Sequence, residues 1–215
     1  MRKTMLAALL LLGSVCSANA TVVTFDDITT RAAAVVPTEY AGLTWWNYSV
    51  LNAKSYPLKS GYKNAGAFGD YVAYSLLANS VTSDKDFNFV GAYLTSAWNN
   101  NLVVNVAGYN NGVSVYSRDV TLSPTSKLWF EADFLGIDEL EMEVIQEGSR
   151  NPQMCGRGAF LAIDDFTYTE TRRLLLTRNT PTPGTLALPV PEPSACLLMG
   201  AGAGVLALLR RKRRA

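Results

Sequence analysis

Between residues 21 and 169, apolar positions show little of the three-to-four spacing of a helix, and β-forming and turn residues dominate. Val22 to Ile28 is the first expected strand. Leu43 to Val50, heavily aromatic, is the second, and Phe68 to Leu77 is the third. Phe87 to Ala97 alternates around Phe87, Phe89 and Gly91. From Leu102 to Val120 two β-rich runs flank Asn110-Asn111-Gly112, and Asn-Gly between such runs predicts a tight hairpin with positive φ at the turn. Leu140-Glu141-Met142-Glu143-Val144 alternates apolar with acidic, which predicts one buried and one anionic face. Ala159 to Thr169 closes the series. Short strands punctuated by Gly, Asn, Asp and Ser predict an all-β fold, an antiparallel β-sandwich of jelly-roll type.

The two ends follow a different pattern. Arg2 and Lys3 precede an apolar run from Met5 to Val15, and Ala18-Asn19-Ala20 fits the small-x-small cleavage site of a secretory signal peptide, so residues 1–20 are expected to be removed. Cys16 is not a lipidation site, because Gly13-Ser14-Val15 before it suits a lipobox poorly. After residue 169 the alternation stops. Residues 170–189 read as a Pro-rich, extended linker. Residues 190–215 hold Val190, Pro191, Glu192, Pro193 and Ser194, then an uncharged stretch to Leu209, then Arg210, Arg211, Lys212, Arg213 and Arg214. The fifteen apolar residues from Ala195 to Leu209 make roughly 22 Å of helix at about 1.5 Å per residue. Snorkelling arginines and local thinning extend that to a short transmembrane span over about 194–209. The basic cluster is expected to stay cytoplasmic. Both ends place the middle of the chain outside the cytoplasm.

This tail resembles the PEP-CTERM sorting domain, with its Pro-Glu-Pro motif, short hydrophobic helix and terminal arginine cluster in that order. The resemblance implies a Gram-negative envelope, an exosortase partner that cuts near Pro191-Glu192-Pro193, and association with exopolysaccharide and biofilm material. It implies transient inner-membrane anchoring with the domain in the periplasm, followed by the cell surface or the extracellular matrix. A second set of segments resembles a β-sandwich domain recurrent in exported proteins with this tail: Thr24 to Asp27, Tyr40 to Trp45, Ala92 to Trp98, Gly108-Tyr109, Leu135 to Leu140 and Ile163 to Phe166. That likeness bears on fold and implies no catalytic residues.

Charge sharpens the picture. The net charge of +1 conceals an acidic exported domain: residues 21–169 hold nine Lys/Arg against sixteen Asp/Glu, a balance of −7. An acidic surface excludes nucleic acid as a partner. Signal removal leaves Cys155 and Cys196, and Cys196 lies in the apolar tail, so no disulfide staples the domain. Cys155 reads as a half-buried small residue rather than a catalytic thiol. The chain has no histidine, which removes Ser-His-Asp and Cys-His catalysis and most zinc or copper sites.

Two aspartate pairs mirror each other: Phe25-Asp26-Asp27-Ile28 opens the domain and Ile163-Asp164-Asp165-Phe166 closes it. In many jelly rolls the first and last strands are neighbours, so one carboxylate from each pair could meet at a strand end and need a cation or proton between them. A structural calcium held by Asp26, Asp27, Asp164 and Asp165 is one candidate; no other cofactor is called for. Aromatic residues crowd positions 45–74, where Trp45, Trp46 and Tyr48 are candidates for stacking on sugars. Adjacent Trp45 and Trp46 must face opposite ways, so at most one is fully in the core. The reading that results is a non-enzymatic exported protein sorted through its tail and binding exopolysaccharide. The alternative is a secreted glycan hydrolase using the aspartate carboxylates.

Overall fold

The computed structural model describes residues 19–66, 69–76 and 78–171. The chain divides into two units, Met1–Arg173 and Leu174–Ala215. The signal segment through Ala18, the linker beyond Thr171, Val190 to Ser194, the 194–209 span and Arg210 to Arg214 therefore lie outside the described residues, as do Phe68 and Leu77. Ala20 is exposed and directly precedes the first strand. Among the described residues, no helix is long and apolar enough to cross a membrane.

The described residues form an all-β, antiparallel fold. Its strands are β1 (Thr21–Val23), β2 (Ala33–Val35), β3 (Glu39–Tyr40), β4 (Leu43–Trp46), β5 (Ser49–Asn52), β6 (Tyr71–Leu76), β7 (Ser80–Ser96), β8 (Asn99–Asn100), β9 (Leu102–Asn110), β10 (Val113–Leu122), β11 (Leu128–Gln146), β12 (Ser149–Arg150) and β13 (Phe160–Glu170). One short helical turn, α1 (Tyr62–Ala65), interrupts them.

Two long strands organise the rest. β7 and β11 run antiparallel along their length, with register breaks between Glu131 and Glu139 where β11 bulges. The beginning of β7 pairs with β4 through Thr44↔Thr82, and the end of β11 pairs with β9, which carries β10 at its edge. The second half of β7 pairs instead with β13. β13 in turn holds β6 along Phe160–Ile163 and β1 along Phe166–Tyr168, and β5 and β2 follow. The bulges thus pass both long strands from one layer to the other. Bulges do this by bending a strand and increasing its twist.

The inner faces of both layers share one core. Leu43, Trp45, Val81, Val104, Leu140 and Met142 come from the first layer; Phe89, Leu94, Leu161, Ile163 and Phe166 come from the second. Trp45 meets Phe166 edge-on across the core at 5.1 Å, and the Tyr168 hydroxyl donates to the Ala41 carbonyl at 2.6 Å. A smaller cluster covers part of the second layer's outer face, where Tyr62, Ala65, Trp98 and Met154 close over Leu51, Val72 and Ala162.

The alternation located the elements better than their ends. The expected strand Val22–Ile28 stops at Val23, because Phe25 takes a positive φ of 63°. Leu43–Val50 is two strands, since Asn47 sits at φ 61° and its amide donates to the carbonyls of Leu76 and Ala78. The Asn-Gly hairpin forms as expected, with Asn111 at φ 50° and Gly112 at φ 73°. Leu140 and Met142 are buried and Glu143 is exposed, as the period-two pattern requires, whereas Glu141 and Val144 are both half-buried.

Candidate functional site

The aromatic residues separate into core and surface. Trp45 is 3% exposed and packs edge-on against Phe25, Tyr48 and Phe166, with its indole N–H given to the Tyr40 carbonyl at 2.9 Å. Tyr48 is 2% exposed and donates its hydroxyl to Asn79, whose amide bonds the Met142 carbonyl at 2.8 Å. These two rings are therefore corrected from sugar-stacking candidates to core residues: neither presents a face to solvent. Trp46, next along the strand, is 60% exposed.

The crowded segment contributes elsewhere. Tyr56, Tyr62 and Tyr74 converge with Trp98 and Phe160 around a cleft of ≈ 500 Å³, whose rim includes Pro57, Gly156 and Arg157. Tyr62 is the hub: its ring stands edge-on to Tyr56 at 5.3 Å, to Trp98 at 5.4 Å and to Tyr74 at 5.5 Å. Tyr74 leans on Phe160 at 6.2 Å. Tyr62 and Trp98 are buried, whereas Tyr56, Tyr74 and Phe160 are half-buried. Burial pushes the Tyr62 and Tyr56 hydroxyls above the ordinary tyrosine value, with neighbouring tyrosines adding to the effect. Sequence reading placed three of these five rings in an aromatic crowd but missed Trp98 and Phe160. Only the pairing of β13 with β6 brings Phe160 beside this group.

A further ring group lies on the outer face of β7 and β11. Trp129 is 39% exposed and meets Tyr93 edge-on at 5.2 Å, and the Lys127 ammonium stands 4.7 Å from the Tyr93 ring centre. Residues 128–130 carry no distinguishing signal in the sequence; the register that pairs Trp129 with Tyr93 is a tertiary fact.

The expected pairing of the domain's first and last strands occurs, since β1 pairs with β13, but the four aspartates divide. Asp26 accepts from the backbone amides of Asp70 at 2.8 Å and Tyr71 at 3.0 Å. Asp27 accepts the Tyr40 hydroxyl at 2.5 Å. Asp164 is fully buried and accepts the Asp165 amide at 2.9 Å. Asp165 is 5% exposed with φ 49°, and its Oδ1 has no hydrogen-bond partner. Burial raises its pKa, the Lys127 ammonium lowers it and the Asp26 charge raises it again. Among the described residues, no group of three or more His, Cys, Asp or Glu side chains could hold a metal ion.

A second depression of ≈ 310 Å³ is lined by Glu39, Asp84, Asp86 and Glu170, with Lys85, Thr44 and Tyr168 among them. Cys155 is exposed rather than half-buried, and only its backbone is held, by an amide bond to the Lys59 carbonyl at 2.9 Å.

Residues 189–214 match the PEP-CTERM protein-sorting motif. That motif implies export and membrane-associated sorting by an exosortase. No curated protein matches the chain. Among solved structures the chain is similar to a mutant of CBM29-2, a family 29 carbohydrate-binding module, at 14% identity over 72% of this chain and 92% of that one, with a TM-score of 0.36. It is also similar to the CBM22-1-CBM22-2 tandem domain of Paenibacillus barcinonensis Xyn10C, at 10% identity over 75% and 48% of the two chains, TM-score 0.38. TmCBM61, solved with β-1,4-galactotriose, aligns at 12% identity over 62% and 91%, TM-score 0.32.

Proposed function

We propose that this chain is exported, sorted through its PEP-CTERM motif, and binds an extracellular polysaccharide through its β domain without turning it over. The finer route follows from the tail: residues 194–209 hold the domain at the inner membrane until an exosortase cuts near Pro191-Glu192-Pro193. The domain then resides at the cell surface or in the matrix.

The observation that carries the binding reading is the cleft around Tyr62. A pyranose has apolar C–H faces and a polar rim of hydroxyls. The half-buried rings of Tyr56, Tyr74 and Phe160 match the first, and the tyrosine hydroxyls match the second. The rings brace one another, so little side-chain freedom is lost when a ligand seats. Turnover has no support in this cleft: the chain has no histidine, and no carboxylate lines the cleft among the described residues.

The test uses the full chain in a polyoxyethylene detergent, which carries no sugar to compete. Migration is followed in native gels containing mixed-linkage β-glucan, glucomannan or β-1,4-galactan. Retardation by at least one of them is expected. Tyr56→Ala with Tyr74→Ala should weaken it about tenfold, near 1.4 kcal/mol, in a protein whose melting curve shows that it still folds. Migration unchanged in every gel overturns the reading. Release of new reducing ends from the retained polysaccharide would instead favour the aspartate hydrolase.

A further inference from the structure

We infer that Trp129 is a second sugar-stacking position, separate from the cleft; this rests on the polysaccharide reading above. The first observation is how the ring is seated. Trp129 comes down over Gly91 on the neighbouring strand, where a side-chain carbon would lie 2.9 Å from Cζ2 and 3.2 Å from Cε2 of the indole. The same carbon would stand 2.3 Å from the Phe130 carbonyl oxygen. Glycine at 91 therefore leaves open the space the indole occupies.

The second observation is the bracing. Tyr93 meets the indole edge-on at 5.2 Å, and the Lys127 ammonium stands over the Tyr93 ring, 4.7 Å from its centre, while donating to the Gly66 carbonyl at 3.0 Å. Yet Trp129 remains 39% exposed. A large aromatic ring seated on Gly91, met edge-on by Tyr93 and still open to solvent is preorganised, so little side-chain freedom remains to be lost on binding. Trp46 supplies the contrast. It is 60% exposed and makes no ring contact among the described residues, so nothing comparable holds it in place.

The occupant is a single uncharged pyranose unit of the polysaccharide. A stable protein partner needs about 1,000 Å² or more of complementary surface. Here one ring is bounded at once by charge, with Lys127 on one side and exposed Glu131 two residues on, which suits a ligand with an apolar face and a hydroxylated rim. The −7 balance of residues 21–169 disfavours a polyanionic chain.

Trp129→Ala, Trp129→Phe and Trp46→Ala are prepared in the full chain and run in the same native gels with mixed-linkage β-glucan, glucomannan and β-1,4-galactan. Thermal melting confirms folding, and sedimentation reports the oligomeric state. Trp129→Ala is expected to weaken retention about tenfold, Trp129→Phe to recover part of the loss, and Trp46→Ala to weaken it less than Trp129→Ala does. Retention of Trp129→Ala equal to wild type overturns the platform while leaving the polysaccharide reading intact. A wild-type chain retained by none of the polysaccharides overturns both. A wild-type dimer that Trp129→Ala dissociates assigns the ring to a second copy and overturns the sugar assignment.

Discussion

Asp165 shows how one residue departs from its neighbours' pattern. It lies at the register break of β13, between Asp164 and Thr167, in a left-handed conformation that aspartate and asparagine tolerate better than most residues. Its carboxyl is buried, one oxygen has no partner, and burial outweighs the attraction of Lys127. A carboxyl whose folded pKa lies above its unfolded value contributes stability below the ordinary carboxylate range, and that contribution is lost as pH rises through the raised value. At neutral pH the charge therefore opposes folding. Asp165→Asn keeps the shape and the backbone preference while removing the charge. It should raise the melting temperature at pH 7 by about 2–4 °C, the equivalent of roughly 1 kcal/mol in a domain this size, and flatten the melting profile above the ordinary carboxylate range. A melting temperature at pH 7 that is unchanged or lower counts against this account. The same residue is one of the four aspartates, with Asp26, Asp27 and Asp164, that the sequence offers as candidates for holding a structural calcium. The register brings Asp26 within electrostatic reach of Asp165, while Asp27 turns away to Tyr40.

At the scale of elements, periodicity located the strands and single backbone conformations ended them. Phe25 and Asn47 cut two expected strands short by taking positive φ, and neither residue type announces that reliably. Asn111-Gly112 does announce it, because two consecutive left-handed residues match the twist of a two-residue hairpin. Space around Gly112 is open, so a substitution there meets only backbone strain. Gly112→Val should destabilise the domain by about 1–2 kcal/mol, the cost of a left-handed β-branched residue, read as a lower denaturant midpoint at constant slope. An unchanged midpoint would mean that the β9–β10 hairpin is not held by its turn. The bulges of β11 escaped the sequence reading altogether. They arise where a strand of nineteen residues must leave one layer and enter the other, a demand set by the whole fold.

At the scale of the molecule, the PEP-CTERM motif of the tail implies export and sorting, and the aromatic cleft of the β domain is what the polysaccharide reading rests on. Replacing Pro191, Glu192 and Pro193 by alanine should leave signal removal intact but block processing of the tail. The expected product, read by intact mass in the native envelope, is a chain that starts at Thr21 and still carries Arg210 to Arg214. Loss of the tail in that variant would show that the motif residues do not direct the cut. The cleft was half legible by comparison. Tyr56, Tyr62 and Tyr74 stand close in sequence, but the rings that complete the group, Trp98 and Phe160, arrive from strands that neighbour them only after pairing.

The sequence by itself determined the fold class and the sorting motif, because period-two alternation and a contiguous Pro-Glu-Pro, apolar and basic order are local properties of the chain. Only the tertiary structure decided which aromatic rings face solvent. Trp45 and Tyr48 share a segment and a chemistry with Trp46, yet two are sealed in the core and one is open. Trp129 becomes a seated ring only because the register of β11 on β7 sets a glycine beneath it. Exposure depends on which strand lands on which face, and that is fixed by contacts between residues far apart in the chain.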